Sequence, residues 1–407
     1  MHPSDLLLRF IGSTGSRREA SFYLGLFRAE RPEAFALIAA SAEVLAEACD
    51  ALSADLRFLA RLGLCPVLWL GDPSATPAAP DPDPDHNHNI DRDALAGYRR
   101  RLRAQLEPEI RCLSLDFERA DSAGAAVTDA TRRGQLPIVL APERAPGAAP
   151  FAPLSELAAA LGSRKVLLLD RKSGLELSDG TVPSLVDIER EHSAVRAQLS
   201  ADQAVLLDGA RALLADPSAA RTVSVTSPLS LLRELFTVRG AGTLLRRAAA
   251  VTRHRDYRAV DTDALRQLLE ASFERPLAQD FFARPITALY VAEGDRGLAI
   301  VSDTPHGNYL SKFAVEQRAQ GEGVGRDIWR VLTAAHPRLL WRSRVENPVN
   351  GWYEQQCDGM VRLATWQVFW RGLAVEQVPA AVRYVEAAPS DFPLPTHARA
   401  PAALADG

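Results

Sequence analysis

Lysine is almost missing from this 407-residue chain: of 47 basic residues, only Lys165, Lys172 and Lys312 are lysines. Arginine therefore serves wherever a positive charge alone is enough, and a lysine that persists inside a strand indicates a need for a compact ammonium group. Lys312 lies in such a predicted strand, whereas Lys172 lies in a polar turn. Residues 1–164 contain no lysine at all, which bears on any phosphate chemistry proposed for that part of the chain.

Cysteines and long apolar runs are scarce as well. No window of about 18 apolar residues is free of charge, so we expect no membrane span. The apolar run after Met1 is too short for a signal peptide, and the formal net charge of −4 leaves no basic field for nucleic acid or an anionic membrane. We expect a cytoplasmic protein without metal, because the cysteines are scattered without the paired spacing of a disulfide framework or zinc site: Cys49, Cys65, Cys112 and Cys357.

The first part of the chain, residues 1–247, alternates short apolar strands with Ala- and Leu-rich helices. This order is typical of a mostly parallel sheet covered by helices on both faces. The predicted strands are Ala34–Ala39, Pro66–Leu70, Pro137–Leu140, Lys165–Leu169 and Thr222–Thr226, and the predicted helices are Ala42–Leu62, Leu154–Leu161 and Gln203–Leu214.

The segment Asp72–Asn89 interrupts this alternation with repeated Pro, Asp and Ala residues and contains His86 and His88. A His-X-His pair can bind a metal, but the Pro- and Asp-rich surroundings favour a solvated loop.

Residues 248–387 show an α+β order in which hairpin strands precede a helix. The predicted elements are helix Thr262–Phe273, strands Ile286–Ala292, Arg296–Ser302 and Tyr309–Val315, helix Val324–Ala335, strand Leu339–Arg344, a short helix Pro348–Glu354 and strand Thr365–Trp370. The remaining residues, 388–407, are rich in Pro and Ala, so we expect them to be disordered.

A glycine-rich turn stands between the strand Tyr309–Val315 and the following helix: Gln320-Gly321-Glu322-Gly323-Val324-Gly325. Glycines let the backbone turn tightly and bring several N–H groups against an anion, and a helix N-terminus adds positive partial charge. A lone Gly-X-Gly is more often a bare turn. Its place between a strand and a helix favours a cradle for the pyrophosphate of coenzyme A.

This turn resembles the acetyl-CoA loop of the GNAT superfamily. Its neighbourhood resembles the synthase domain of the N-acetylglutamate synthase family, including bacterial synthase-kinase fusions, over Tyr309-Leu-Ser-Lys-Phe-Ala-Val, Leu340-Trp-Arg-Ser-Arg, Asn347-Pro-Val-Asn-Gly-Trp-Tyr and Trp366-Gln-Val-Phe-Trp. Upstream, Glu234-Leu-Phe-Thr-Val-Arg-Gly-Ala-Gly-Thr resembles the end of the amino-acid kinase domain of that family. The resemblance implies an α/β protein: a three-layer αβα amino-acid-kinase-like domain followed by an α+β GNAT domain. It also implies acetyl-CoA as cosubstrate, L-glutamate as acceptor, a role in arginine synthesis and a homo-oligomer.

Two arginines fit an acceptor with two carboxylates. Arg342 and Arg344 alternate along one strand and so share a face, and each guanidinium can form a bidentate pair with a carboxylate. A surface ion-pair ladder is the alternative. On the neighbouring strand we expect Lys312 to share a face with Leu310 and Ala314. By resemblance, the family's glutamate-binding positions are Lys312, Arg342, Arg344 and Asn347.

The resemblance also assigns the transfer chemistry. Tyr353 matches the tyrosine that protonates the departing thiolate, although it can equally be a packing aromatic beside Trp352. The base that accepts the amine proton stays open between water and Glu316, and Ser311 departs from the acidic residue that often precedes the lysine. Acetyl-CoA is expected at Phe313, Val315, Gln320, Gly321, Gly323, Gly325 and Arg326.

The first domain lacks the residues that kinase chemistry needs. Alignment of the strand pattern places Ala39 where the phosphate-binding lysine belongs and Ser41-Ala42 where glycines belong, and Pro73 removes a backbone donor from the second turn. We expect a kinase fold retained for assembly or regulation. L-Arginine is a candidate effector there, at the segment of Glu234, Gly240, Gly242 and Thr243.

Three other functions stay open. The first is a GNAT enzyme that acts on another amino acid or on carrier-bound glutamate, the second is a working synthase-kinase, and the third is a non-catalytic subunit that senses an amino acid.

Overall fold

The chain folds around two separate sheets, one within residues 1–248 and one within residues 249–407. The computed structural model describes residues 23–25, 27–28, 31, 35–71, 84–143, 149–216, 219, 221–237, 240–319, 321–389 and 391–392, without the side chains of residues 84–91 and 318.

The first unit has an eight-stranded sheet with the strand order β3-β4-β2-β1-β5-β7-β8-β6. All neighbouring strands are parallel except β7 and β8, which are antiparallel. The strands are β1 (Leu37–Ala40), β2 (Val67–Leu70), β3 (Cys112–Asp116), β4 (Leu136–Leu140), β5 (Lys165–Leu169), β6 (Leu185–Asp187), β7 (Thr222–Thr226) and β8 (Thr243–Arg246).

Helices cover both faces of this sheet, because its central strands are apolar on both sides. Along β1, Ile38 and Ala40 pack into the core cluster that contains Val44 and Leu45 of the next helix, whereas Ala39 packs into the opposite cluster. The helices are α1 (Ala42–Arg61), α2 (Pro84–Leu106), α3 (Ala120–Arg132), α4 (Ala152–Ala160), α5 (His192–Arg196), α6 (Ala201–Leu213) and α7 (Leu231–Phe236). The predicted three-layer αβα architecture is therefore confirmed.

The second unit has a seven-stranded sheet with the order β14-β15-β13-β12-β11-β10-β9. Only β12 and β13 are parallel neighbours, and the other pairs are antiparallel. The elements are β9 (Val251–His254), α8 (Thr262–Phe273), β10 (Ala288–Ala292), β11 (Gly297–Thr304), β12 (Gly307–Val315), α9 (Val324–Ala335), β13 (Leu339–Arg344), α10 (Asn350–Glu354), β14 (Gly359–Arg362), β15 (Trp366–Arg371) and α11 (Val378–Ala387).

The sequence prediction of a loop over Asp72–Asn89 is wrong at its C-terminal end, because α2 begins at Pro84. Proline is well accommodated in the first turn of a helix, where its missing N–H has no intrahelical partner. Residues 72–83 and the side chains of His86 and His88 lie outside the described residues. Among the helices of the described segments, none is both long and apolar enough to cross a membrane.

Candidate functional site

The sheet of the second unit opens between its two parallel strands. β12 and β13 pair over only three positions: Asn308 with Leu339, Tyr309 with Leu340, and Leu310 with Trp341. Beyond that pair β12 stays on β11 up to Val315, and β13 stays on β15 up to Arg344. The two strands therefore splay apart and present unshared backbone edges, a gap in which an extended ligand can bind as a strand does.

A β-bulge stands where the splay begins. Ile300 of β11 is opposite Lys312 and the next residue of β11 is opposite Leu310, so Ser311 has no partner and its hydroxyl donates to the Ile300 carbonyl at 3.2 Å. A bulge moves the following side chains to the other face of the sheet. Leu310 packs in the cluster with α9, whereas Ala314 packs in the cluster with α8. The expectation that Lys312 shares a face with Leu310 is therefore wrong.

Lys312 is almost fully enclosed, with 5% of the residue exposed. Its ammonium forms an ion pair with Asp391 and donates to the Ser311 carbonyl at 3.0 Å. Three aromatic rings lie 5.2–6.0 Å from the ammonium: Phe273, Phe281 and Phe392. Burial lowers the pKa of Lys312, the Asp391 carboxylate opposes that shift, and the guanidiniums of Arg342 and Arg284 add to it.

Arg342 and Arg344 lie on one face of β13, as predicted, since both guanidiniums stack on Trp366 at 4.3 and 4.2 Å. Arg342 donates to the carbonyls of Val385 at 2.7 Å and Glu386 at 3.1 Å, beside the end of α11. It also donates to the Pro389 carbonyl at 3.0 Å. Cations near a helix C-terminus are stabilised by its unpaired carbonyls. Arg342 thus anchors α11 as well as facing the site.

Within the described residues, no carboxylate is paired with either strand arginine, which disfavours the ion-pair ladder. Arg344 keeps its stacking contact with Trp366 and is the arginine with fewer protein partners.

Asn347 lies in the turn after β13, and its amide is engaged there. Nδ2 donates to the Ser343 hydroxyl at 2.8 Å, and Oδ1 accepts from the Val349 N–H at 3.1 Å. These contacts support a turn-stabilising role. A role for Asn347 in acceptor binding stays a prediction.

Tyr353 is buried on the opposite face of the sheet from Lys312. It lies in α10 within an aromatic cluster, where its ring centre is 5.7 Å from Trp341, 5.5 Å from Phe369 and 6.4 Å from Phe313. Burial raises the pKa of Tyr353, so its hydroxyl keeps its proton at neutral pH. That is the state a general acid needs, although the packing role is equally evident.

The glycine turn leads into α9 with left-handed backbone at Gly321 (φ 86°) and Gly323 (φ 79°). A side chain is disfavoured at such φ values. A Cβ at Gly325 would lie 3.3 Å from Val315 Cγ2, so the start of α9 sits close to β12. Arg326 follows in the first turn of α9, and Gln320 lies outside the described residues. The backbone here fits an anion held at a helix N-terminus.

The segment predicted to bind arginine is a closed turn. Glu234 is buried, and its Oε2 accepts from the N–H groups of Ala241 at 2.7 Å and Gly242 at 3.0 Å. Gly240 has φ 64°, and a Cβ there would lie 2.6 Å from the same oxygen. The Thr243 hydroxyl accepts from a backbone N–H in the same unit. A Cβ at Gly242 would lie 2.1 Å from the Val225 carbonyl oxygen, so both glycines and the carboxylate have a structural reason without a ligand.

At the C-terminal end of β1, where open parallel sheets usually bind ligands, Ala39 is buried and Ser41 caps α1 by accepting from the Val44 N–H. Pro73 of the second turn lies outside the described residues. In the described part of the chain, no group of three or more His, Cys, Asp or Glu residues is arranged to hold a metal ion.

Two residues of the site were missed by the sequence analysis. Arg284 carries no motif, and Asp391 falls in the segment expected to be disordered. Asp391 and Phe392 nevertheless contact Lys312, so the folded part of the second unit reaches at least Phe392. Contacts over such sequence separations leave no local pattern that could have revealed them.

A mixed sheet that splays between parallel strands, with a glycine turn entering the next helix, defines an N-acetyltransferase of the GNAT class. The family model "NAT, N-acetyltransferase, of N-acetylglutamate synthase" matches residues 251–388. The second unit therefore matches the N-acetyltransferase domain of N-acetylglutamate synthase, and the chain joins it to a unit with an amino-acid-kinase-like fold.

Relatives match this chain over different extents. An acetylglutamate kinase of Xanthomonas campestris pv. campestris is 29% identical over 91% of this chain and 97% of that protein. The human mitochondrial N-acetylglutamate synthase is 32% identical over 59% of this chain and 47% of its own length. The N-acetylglutamate synthase from Neisseria gonorrhoeae, solved with coenzyme A and L-arginine, matches with a TM-score of 0.54 at 17% identity, over 88% of this chain and 98% of that one. The last match concerns the fold alone.

Proposed function

We propose that this protein transfers the acetyl group of acetyl-CoA to the amine of L-glutamate, giving N-acetyl-L-glutamate and CoA for arginine synthesis. The observation that carries the proposal is the splay between β12 and β13. Cationic side chains line one face of the sheet beside it, whereas the glycine turn and Tyr353 lie on the other face. Two substrates can therefore meet in the gap from opposite sides.

The transfer would be a direct attack in a ternary complex. The glycine turn with Gly321, Gly323, Gly325 and Arg326 would hold the pyrophosphate, and the N–H groups of Phe313 and Val315 would hold the acetyl carbonyl as charge develops on it. The amine nitrogen forms a bond to the carbonyl carbon, and the carbon–sulfur bond breaks. The amine proton leaves to water or Glu316, and Tyr353 donates a proton to the thiolate.

On the acceptor side, Lys312 and Arg344 would bind the two carboxylates of glutamate. A buried ammonium and a ring-stacked guanidinium both form charge-assisted hydrogen bonds with carboxylates. Arg342 would contribute its charge while it holds the end of α11. Asn347 would contribute through the shape of its turn.

The test is purified full-length protein incubated with acetyl-CoA and a panel of amino acids, with thiol release and product mass as readouts. We expect release that depends on L-glutamate and saturates with it, and Tyr353→Phe should lower kcat more than it changes either KM. Thiol release with another amino acid and none with glutamate would favour the alternative of a GNAT enzyme that acts on a different acceptor. Failure to bind acetyl-CoA would favour the sensing subunit.

L-Arginine as an effector is a second proposal, and it rests on the gonococcal synthase having been solved with L-arginine. In this chain Glu234 Oε2 is already held by the turn, so an arginine guanidinium would have to bind Oε1 or open the turn. Titration calorimetry with L-arginine on the wild type and Glu234→Gln, paired with activity curves, tests it. No heat and no activity change at millimolar arginine would leave the first unit a scaffold. We also propose, from the family resemblance, that the protein forms a homo-oligomer and is cytoplasmic.

A further inference from the structure

One carboxylate of the second unit is held by two cations at the opening of the splay. Asp391 Oδ2 pairs with the ammonium of Lys312, and Asp391 Oδ1 lies 2.7 Å from Arg284 Nη1. The Asp391 carbonyl accepts from the Ala278 N–H at 3.0 Å, which anchors the main chain at this position. Such a two-cation clamp is the arrangement that recognises a carboxylate.

The surroundings carry more positive charge than this one carboxylate balances. The guanidinium of Arg342 acts on the same ammonium electrostatically, and Arg284 has a second, outer partner in Asp280 at 3.1 Å. Arg344 lies beside Arg342 on the same ring of Trp366. A ligand with two carboxylates would balance this charge better than Asp391 alone.

The clamp of Lys312 and Arg284 also lies beside the splay between β12 and β13, where an acceptor would bind. Lys312 is two residues beyond Leu310, the last residue of β12 that pairs with β13. Its side chain is only 4% exposed, whereas those of Asp391 and Arg284 are 19% and 35% exposed. The buried cation is therefore reached from solvent past Asp391 and Arg284.

We propose that Lys312 and Arg284 form a carboxylate subsite of the acceptor site, that Asp391 fills this subsite in the free enzyme, and that the acceptor displaces Asp391 on binding. Arg284 is then a specificity-determining residue for the proposed transfer. This inference rests on the proposed function. A ligand that must displace an internal group binds with an apparent affinity reduced by the fraction of open enzyme.

The competing role for Asp391 is that of a permanent partner that holds Lys312 in place for the acceptor. The two roles predict opposite changes in the KM for the acceptor when Asp391 is replaced. Removing an internal competitor lowers the KM for the acceptor and leaves kcat unchanged, whereas removing a positioning partner raises that KM or lowers kcat.

The experiment compares full-length wild type with Asp391→Asn, Asp391→Ser and Arg284→Gln. Steady-state kinetics are measured at saturating acetyl-CoA, together with inhibition by succinate, a dicarboxylate without an amine. We expect both Asp391 variants to lower the KM for glutamate and the Ki for succinate by about three- to tenfold with kcat unchanged. Arg284→Gln should raise both constants by about tenfold or more, the scale of one lost charged hydrogen bond. Asp256→Asn, which removes an exposed carboxylate paired with Arg258, is the matched control and should change neither constant.

A KM that is unchanged or raised in both Asp391 variants overturns the inference, and so does an unchanged KM in Arg284→Gln. Thermal unfolding shows whether each variant is folded. If Asp391→Asn does not fold, Asp391→Ser provides the test of the inference. If the wild type acetylates no glutamate, the proposed function itself fails. If the wild type is active but the variants keep its constants, only the inference fails.

Discussion

At the scale of single residues, the two arginines of β13 show that a shared face does not mean a shared role. Arg342 donates three hydrogen bonds to backbone carbonyls at and just after the end of α11, whereas the main contact of Arg344 is with the ring of Trp366. The alternation along the strand predicted the common face, because side chains two residues apart point the same way. Only the position of α11 separates the two roles.

Arg344→Lys should weaken the use of glutamate, because one ammonium replaces neither a bidentate fork nor the stacking on Trp366. We expect a rise in the KM for glutamate that corresponds to about 1.5–3 kcal/mol for a lost charged hydrogen bond. The affinity for acetyl-CoA should stay the same. Steady-state kinetics with both substrates varied measure this, and Arg362→Lys at the exposed end of strand β14 is the control. A mutant with normal glutamate saturation would remove Arg344 from the acceptor site.

The buried ammonium of Lys312 predicts a pH dependence. Burial lowers the pKa of Lys312, and only the charged form can pair with a carboxylate. As pH rises through this lowered pKa, acceptor binding is lost at a lower pH than an exposed lysine would give. The measurement is kcat/KM for glutamate against pH. In Lys312→Arg, the fall of kcat/KM at high pH should shift to higher pH, since arginine stays charged. A profile identical to that of the wild type would contradict the assignment of Lys312 to the acceptor site.

At the scale of elements, the glycine turn before α9 has the backbone geometry that an anion site at a helix N-terminus requires. Gly321 and Gly323 adopt left-handed φ values and Gly323 caps the helix. Glycine allows this conformation and the close approach of an anion at once. Both the glycine pattern of the turn and the helix α9 could therefore be predicted from the sequence.

Gly323→Ala should weaken coenzyme A binding and destabilise the second unit by about 1–2 kcal/mol, the usual penalty of left-handed backbone for a residue with a Cβ. Titration calorimetry with coenzyme A and thermal unfolding give the two quantities. Gly294→Ala is a matched control, because Gly294 also has a positive φ, 69°, but lies in the turn before β11. That control should lose stability without losing coenzyme A affinity. Equal losses of affinity in both variants would count against the turn as the anion site.

The elements that the sequence predicted best are those with a strong apolar period. Helices α8 and α9 and strands β5, β7 and β13 match their predicted bounds. Strands β9 and β14 were missed because they are short, partly exposed edge strands without a regular apolar alternation. Helix α2 was not predicted, and its first residues, Pro, Asp, His and Asn, have a composition typical of a loop.

At the scale of the whole molecule, the first unit has the three αβα layers of an amino-acid kinase, and the sequence alignment predicts Ala39 at the position of the phosphate-binding lysine. The acetylglutamate kinase of Xanthomonas campestris pv. campestris is related over almost the full chain, yet residues 1–164 here contain no lysine. Phosphoryl transfer depends on cations that stabilise the charge on the transferred group. Our interpretation is that the first unit keeps the kinase fold but lacks the lysine that this reaction needs.

We therefore expect no acetylglutamate kinase activity. The measurement is ATP-dependent phosphorylation of N-acetylglutamate by the purified full chain, with the acetyl transfer assay as proof that the sample is active. Ala39→Lys alone should not restore the reaction, because Ser41 and Ala42 stand where glycines are needed. Phosphorylation at a rate typical of enzymes would show that the interpretation of the first unit is wrong.

The sequence by itself determined the order of strands and helices, the glycine turn and the resemblance to a synthase domain, because periodicity, turn residues and motifs are local. Tertiary structure alone decided the face of Lys312 and its partners. The bulge at Ser311 depends on pairing with β11, and Asp391 meets Lys312 across 79 residues of sequence. Contacts of this kind depend on which segments pack together, and that is decided by the fold as a whole and by no single stretch of residues.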